Sequence, residues 1–383
     1  MSQDDALQNL ENVLATPKTL VVKVGSALLV NDDGSVRREW LEALAQDMQN
    51  LRSKGHRIVL VSSGAIRVGL KQMGIQPGGL TLAEKQAAAA LGQISLAQVY
   101  ADVFAPHNWP VGQMLLTAGD TEDRRRYINS REALDRLLAM DALPLINEND
   151  SVATGEIRFG DNDRLAARVA GMIGAELLFL LSDIDGLYSA NPREDENAVH
   201  IPTVHGVITP EIESMAGVVR AGYSSGGMVT KLRAAQIAMG ASCDMLIADG
   251  RAAAPISRLL TGERFTLFKA DPHASKRARE KWLTGALNLQ GQLILDDGAI
   301  RAVCAGKSLL PAGVTAVQGQ FSRGDVVALV SIDGVQIGRG IALYDGDDAA
   351  KIAGHNSAEI ESLLGFTRGN TLIHADDLAT YEP

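Results

Sequence analysis

Four short stretches of this chain bring together residue types that suit phosphate chemistry. The first is Lys23-Val24-Gly25-Ser26-Ala27. It offers one mobile positive charge beside backbone N–H groups that a glycine leaves open. The second is Ser62-Ser63-Gly64-Ala65. The third is Asn147-Glu148-Asn149-Asp150, closely followed by Gly160-Asp161-Asn162-Asp163. The fourth, Ser225-Gly226-Gly227-Met228-Val229-Thr230-Lys231, reads as the opening of a helix. Two glycines ahead of a helix expose N–H groups at its positive end, where phosphate is favoured. Lys231 then falls in the first turn, within reach of a terminal phosphoryl group, and Lys23 approaches from the opposite strand. Phosphoryl transfer needs positioning and positive charge more than covalent chemistry. Asp161 or Asp163 would keep the two lysines charged and aimed. Asn and Ser side chains with Asp150 suit a small substrate that carries both an ammonium and carboxylates.

Taken singly, each stretch also has a plain structural reading. Ser-Gly before a helix is a cap and a tight turn, and Asn-Asp clusters satisfy their own backbone in turns. Their joint fall at one end of one sheet is the functional argument. Other phosphate and nucleotide motifs fail. Gly306-Lys307-Ser308 has Arg301 where a P-loop needs its first glycine, and no GxGxxG follows a strand. There is no HRD or DFG set. Arg124-Arg125-Arg126 follows Glu122 and Asp123 and reads as a solvated helix face. The 7 histidines form no triad or metal spacing.

Elements that would position these residues are visible in the apolar pattern. Apolar runs at Thr19–Val24, Ile58–Val61, Val111–Leu115, Ala142–Ile146, Leu177–Leu181 and Met245–Ala248 predict strands, several of them continuous, as for strands buried on both faces. Helical stripes lie between them, at Trp40, Leu41, Leu44, Met48 and Leu51, and at Leu165, Ala166, Val169, Ala170 and Ile173. Ala6, Leu7, Leu10, Val13 and Leu14 predict a short amphipathic helix over 3–14. Strands interleaved with helices imply a mainly parallel open sheet covered on both faces, an α/β/α sandwich. In such sheets ligands bind at the carboxyl ends of the strands, where all four stretches fall.

The pattern breaks near Lys276, Arg277, Arg279 and Lys281. Short strands are predicted beyond it, at Gln292–Leu295, Ala299–Val303, Asp325–Val330 and Gln336–Leu343. Turns are read at Asp297-Gly298, Asp333-Gly334 and Asp345-Gly346. This predicts a small β-rich, barrel-like domain. The division expected is an N-terminal extension at 1–17, an α/β domain at 18–275, a basic linker at 276–287, a β domain at 288–368 and a tail at 369–383.

Composition narrows the class. Of 383 residues 46% are hydrophobic and 21% charged, which is ordinary for a globular chain. The formal charge of −10 argues against generic nucleic-acid binding. The 2 cysteines, Cys243 and Cys304, fit neither a disulfide framework nor a zinc site. No apolar run approaches the ~18 residues of a membrane span, and the acidic N-terminus is no signal peptide. A soluble cytoplasmic protein with no membrane partner is expected.

The joint set of motifs resembles the amino acid kinase family, in its branch that phosphorylates glutamate. The stretches carrying the resemblance are Val22–Ser26, Ser62–Ile66, Gly112–Leu116, Asn147–Asp150, Gly160–Asp163 and Gly226–Leu232. Leu309-Leu310-Pro311, Gly319, Phe321–Asp325 and Ile352–His355 resemble the PUA domain that bacterial members append. The resemblance implies ATP-dependent phosphorylation of the L-glutamate side-chain carboxylate to glutamyl 5-phosphate, for proline synthesis, with ATP and Mg²⁺. It implies that Lys23 and Lys231 stabilise the moving phosphoryl group and that Asp163 orients them. Ser63, Asp150 and Asn162 would bind glutamate. Lys23, Ser182, Asp183 and the run Ser225, Gly226, Gly227, Met228, Val229, Thr230 and Lys231 would bind the nucleotide. It assigns no residue to the metal. Inhibition by proline, a homodimer or homotetramer, and a glutamyl-phosphate reductase as recipient of the product are further implications. Ala27 stands where many relatives have serine or threonine; Ser62 and Ser182 stand for common threonines. Acetylglutamate, aspartate and nucleoside-monophosphate kinases share the nucleotide half of such a site and are the alternative activities. An RNA-binding role through the last domain is the alternative of another class. Residues 288–383 carry six Lys/Arg against twelve Asp/Glu, a net charge of −6. Phosphate neutralisation needs the reverse sign, so a structural or regulatory role is expected there.

Overall fold

The computed structural model describes residues 2–152, 161–216, 227–271 and 289–381. The chain divides into two compact units, Met1–Ser275 and Lys276–Pro383.

The first unit is built on one eight-stranded sheet. Its strands are β1 (Thr19–Val24), β2 (Arg57–Val61), β3 (Val111–Leu116), β4 (Leu143–Glu148), β5 (Leu177–Ser182), β8 (Thr203–His205), β9 (Asp244–Asp249) and β10 (Phe265–Lys269). The order is β3-β4-β2-β1-β5-β9-β10-β8. Every pair is parallel except β9–β10. Two short strands, β6 (Leu187–Tyr188) and β7 (His200–Ile201), form a separate antiparallel ribbon.

Strands β1 and β5 are buried at every position because helices cover both faces of the sheet. Alternation sorts the side chains. Leu20, Val22 and Val24 join the core beneath α1 (Gln3–Leu14), α3 (Arg38–Ser53), α4 (Ala65–Met73), α5 (Leu82–Phe104) and α11 (Pro255–Leu260). Val21 points into the opposite core, beneath α7 (Arg124–Ala139), α8 (Asp161–Met172) and α10 (Met228–Gly240). The remaining helices, α2 (Ser26–Leu29), α6 (Ala118–Glu122) and α9 (Pro210–Met215), are short.

The segment read as an extension is part of this core. In α1, Ala6 and Leu10 are fully buried, and Asn9 Oδ1 accepts from Lys269 Nζ at 2.6 Å. Its start is fixed by a capping box between Ser2 and Asp5.

Helices α4 and α5 meet backbone to backbone. A Cβ on Gly69 would lie 1.8 Å from Ala88 O, and one on Gly92 1.8 Å from Ala65 O. Neither carbonyl can move without unwinding a helix. We expect Gly92→Ala to cost roughly 3 kcal/mol or more by overpacking. That lowers the melting temperature by about 6–10 °C. An unchanged melting curve would contradict the close approach.

The second unit holds a mixed five-stranded sheet: β11 (Gly291–Leu295), β12 (Val314–Gly319), β13 (Val326–Ser331), β14 (Gln336–Ile341) and β15 (Leu378–Thr380), in the order β12-β11-β13-β14-β15. Its two edge strands, β12 and β15, are not paired with each other among the described residues, so the barrel-like domain is a mixed sheet left open between them. The expected strand at Ala299–Val303 is a helix, Asp297–Cys304. Asp296 caps it by accepting from Ala299 N at 2.7 Å, and Ala299 and Val303, four apart, face the core. A short apolar run fits either period, and here the cap decides. Asp345-Gly346 likewise opens a helix rather than a turn. Asp333-Gly334 is a turn, with Gly334 at φ 83°. The stretch 369–383, read as a tail, supplies β15, which pairs with β14, and Leu372 and Ile373 are buried there.

Candidate active site

The carboxyl ends of β1, β2, β4 and β5 lie side by side. Lys23 is in register with Val61 of β2 and Leu180 of β5, one residue short of the end of β1. Its ammonium is buried and ion-paired with Asp163, in the first turn of α8. Lys231 reaches the same carboxylate from the first turn of α10, Nζ to Oδ2 at 3.1 Å. Asp163 is 1% exposed. Two cations thus share one buried carboxylate.

The titration of the group follows from that sharing. Burial pushes Asp163 up, but the charges of Lys23 and Lys231 outweigh it and hold the carboxyl below its ordinary range. Burial, chiefly, depresses Lys23; the like charge of Lys231 adds to this and Asp163 opposes it. Gly25 leaves Lys23 open: a Cβ there would stand 3.7 Å from Lys23 Nζ, so a longer side chain would cover the ammonium.

A polar cradle begins one residue before Asp163. Asn162 Nδ2 donates to Ser62 O at 2.8 Å, Ser63 Oγ at 2.8 Å and Asn147 Oδ1 at 2.9 Å. Asn147 Oδ1 also accepts from Glu148 N at 2.9 Å. Among the described residues Asn162 Oδ1 and Asn147 Nδ2 have no partner although both are buried. One unsatisfied acceptor and one unsatisfied donor side by side suit a ligand with an ammonium and a carboxylate. The turn Ser62–Gly64 is forced by Gly64, at φ 98°, where a Cβ would also lie 2.9 Å from Val30 Cγ2. Asp150, three residues beyond Asn147, is buried.

At the other end of the site, Ser182 closes β5 and its Oγ donates to Asp183 Oδ1 at 3.2 Å; Ser182 is buried and Asp183 exposed. Gly227 is the N-cap of α10 and offers no side-chain cap. Thr230 Oγ1 is turned back onto Gly227 O at 2.8 Å. Met228 packs against the core and Val229 is half-buried. Ser225 and Gly226 lie outside the described residues, as does the basic linker 276–287.

The structure therefore joins Lys23, Asp163 and Lys231 directly, joins Asn162 to Ser63, and joins Ser182 to Asp183. The sequence reading did not single out Asn147 as a site residue. Its only sequence signal was membership of an Asn-Asp cluster that also reads as a turn.

Residues 18–249 match the family model of the amino acid kinase family. A glutamate 5-kinase of Paramagnetospirillum magneticum is 52% identical over 367 residues, covering 95% of this chain and 98% of the relative. The chain belongs to the glutamate 5-kinase branch of the amino acid kinase family. A glutamate 5-kinase of Brucella ovis is 51% identical over 361 residues, 94% of this chain and 95% of the relative. Residues 291–364 match the PUA domain. Among solved structures, a carbamate kinase from Giardia lamblia bound to AMP-PNP is 16% identical, with 67% of this chain and 100% of that chain covered and a TM-score of 0.48. The family uses ATP. No described helix is long and apolar enough to cross a membrane.

Proposed function

We propose that the protein transfers the terminal phosphoryl group of ATP to the side-chain carboxylate of L-glutamate, giving L-glutamyl 5-phosphate, the first step of proline synthesis. One observation carries the reading: consecutive residues at the start of α8, Asn162 and Asp163, belong to the polar cradle and to the lysine pair respectively. Acceptor and phosphoryl group would meet there.

A carboxylate acceptor needs no general base, because a glutamate side chain with an ordinary pKa of about 4.3 is already ionised at pH 7. Its difficulty is repulsion from the triphosphate. Lys23 and Lys231 would lower that repulsion and stabilise the negative charge as it passes from the attacking carboxylate to the bridging oxygen that leaves with ADP. Asp163 keeps both ammoniums aimed. Gly227 and the N-terminal N–H groups of α10, with Ser182 and Asp183, would hold the nucleotide. Mg²⁺ bound with the nucleotide would neutralise part of the phosphate charge; we assign it no protein ligand. Ser63, Asn162 and Asp150 would hold glutamate, with Asn147 beside them. Asp150 suits a free ammonium, which favours glutamate over its N-acetyl derivative.

Proline carries the same ammonium and α-carboxylate without the acceptor group, so competition at the glutamate site is the inhibition we propose. A homodimer or homotetramer, a cytoplasmic location, a structural or regulatory role for the second unit, and a glutamyl-phosphate reductase as consumer of the labile product complete the reading. Kinase chemistry is assigned to 18–275.

Trapping with hydroxylamine in the presence of Mg-ATP tests it. Glutamate should give a hydroxamate that proline suppresses, and N-acetylglutamate and aspartate should give none. Equal yield from either of those would reassign the substrate. No hydroxamate from any of the three, with ATP bound, would overturn the reading.

A further inference from the structure

Helix α5 (Leu82–Phe104) carries two buried polar side chains seven residues apart, on one face, and both end on the acceptor half of the site. Tyr100 is 0% exposed, and its hydroxyl lies 2.9 Å from Ser62 Oγ. Ser62 Oγ also lies 3.3 Å from Ser63 O, and either hydroxyl can donate in the Tyr100–Ser62 bond. The same Ser62 offers its carbonyl to Asn162 Nδ2. Gln93 Nε2 donates to Glu148 O at 3.2 Å, at the end of β4 where the Asn149–Asp150 loop departs. Gln93 Oε1 accepts from Gln113 Nε2 of β3 at 3.2 Å, which fixes the orientation of the amide. One residue before Gln93, α5 presses on the first residue of α4 through Gly92, immediately after the Ser62–Gly64 turn.

We infer that Tyr100 and Gln93 are positioning residues for the acceptor carboxylate, and that α5 sets the geometry of both glutamate loops without touching the substrate. The inference rests on the glutamate reading above. Neither side chain bonds to β1, β5 or α10, which carry the lysines and the nucleotide end of the site. An interaction that shapes only the acceptor cradle acts on glutamate binding and leaves nucleotide binding alone. A residue that merely supported the fold would weaken both together.

Tyr100→Phe removes one oxygen and keeps the ring in its buried seat. The expected result is a glutamate KM raised roughly ten-fold, the scale of one lost buried hydrogen bond. The ATP KM and kcat should stay within about two-fold, while the melting temperature falls by only about 2–4 °C for the ~1 kcal/mol lost. Ser62→Ala should reproduce the split, and Ser62→Thr, which keeps the hydroxyl, should restore the unsubstituted value. Because Tyr100 acts through Ser62, adding Tyr100→Phe to Ser62→Ala should raise the glutamate KM no further. Gln93→Leu should show the same split through the other loop. A glutamate KM within two-fold in both Tyr100→Phe and Ser62→Ala, an equal rise in both substrates' KM, or additive effects in the double variant would overturn the inference while leaving the glutamate reading intact. Absence of any glutamate phosphorylation by the unsubstituted protein would overturn both.

Discussion

Lys231→Ala is expected to lower kcat by about 10²- to 10³-fold while the glutamate KM moves by less than about three-fold. The lysine sits in the first turn of α10, buried, with its ammonium 3.1 Å from Asp163 and outside the Asn162–Ser63–Asn147 cradle. Its charge is therefore placed for the phosphoryl group rather than for the amino acid. Charge on the transferring group is redistributed only during transfer, so the loss appears in kcat. The fold should survive, because Lys23 stays paired with Asp163. Removing Lys23 as well should cost less than the product of the two single effects, since both serve one transferring group. Steady-state kinetics with glutamate and ATP varied in turn separates the two parameters. Turnover comparable to the unsubstituted protein would remove the role assigned to Lys231.

The second large effect is expected of Asp163→Asn. The change is isosteric, yet it removes the carboxylate to which both buried ammoniums are ion-paired. Removing one partner of a buried ion pair costs about 3–5 kcal/mol, and here one carboxylate serves two cations. Activity should fall with it, because Lys23 and Lys231 lose the group that aims them both. The pH dependence has a definite sign. The pKa of Asp163 is lowered in the fold from 3.8. A carboxyl of this kind stabilises the fold fully above its unfolded value and loses that contribution as pH falls through the folded one. The difference in stability between the two proteins should thus be constant near neutrality and shrink below about pH 3.8. Lys23 works the other way: with its pKa lowered from 10.5, its burial cost is full below the folded pKa and fades as pH rises from there toward that value. Urea unfolding at pH 7 and near pH 3 would show both the gap and its closing. A variant as stable as its parent at pH 7 would contradict the shared ion pair.

What the sequence made legible follows from physical cause. Strands β1 and β5 were visible because burial on both faces demands an unbroken apolar run. The edge was not. β8 has three residues, Thr203–His205, and β10, Phe265–Lys269, earns its place by pairing antiparallel to β9 and parallel to β8, which no local pattern announces. Ala299–Val303 misled because a short, mostly apolar run around Arg301 fits both periods, and Asp297-Gly298, which opens the helix behind the Asp296 cap, was read as a turn. In the site, Lys23, Asp163 and Lys231 were legible by residue type and position at strand ends and helix starts. Asn147 was hidden in a turn-like cluster. Gln93 and Tyr100 were hidden more deeply: polar residues in a 23-residue helix normally face water, and only the glycine-mediated contact with α4 and the nearness of Ser62 turn them inward.

The most direct measurement follows the acceptor oxygen itself. Glutamate labelled with ¹⁸O in both side-chain carboxylate oxygens is phosphorylated with unlabelled Mg-ATP, the product is cleaved with hydroxylamine, and the phosphate released is read by ³¹P NMR. Attack of hydroxylamine at the carbonyl carbon leaves the bridging oxygen on phosphorus. Phosphate carrying one ¹⁸O in step with the ADP formed is the predicted result. Unlabelled phosphate at full ADP yield would mean that another oxygen accepts the phosphoryl group, and would contradict the account.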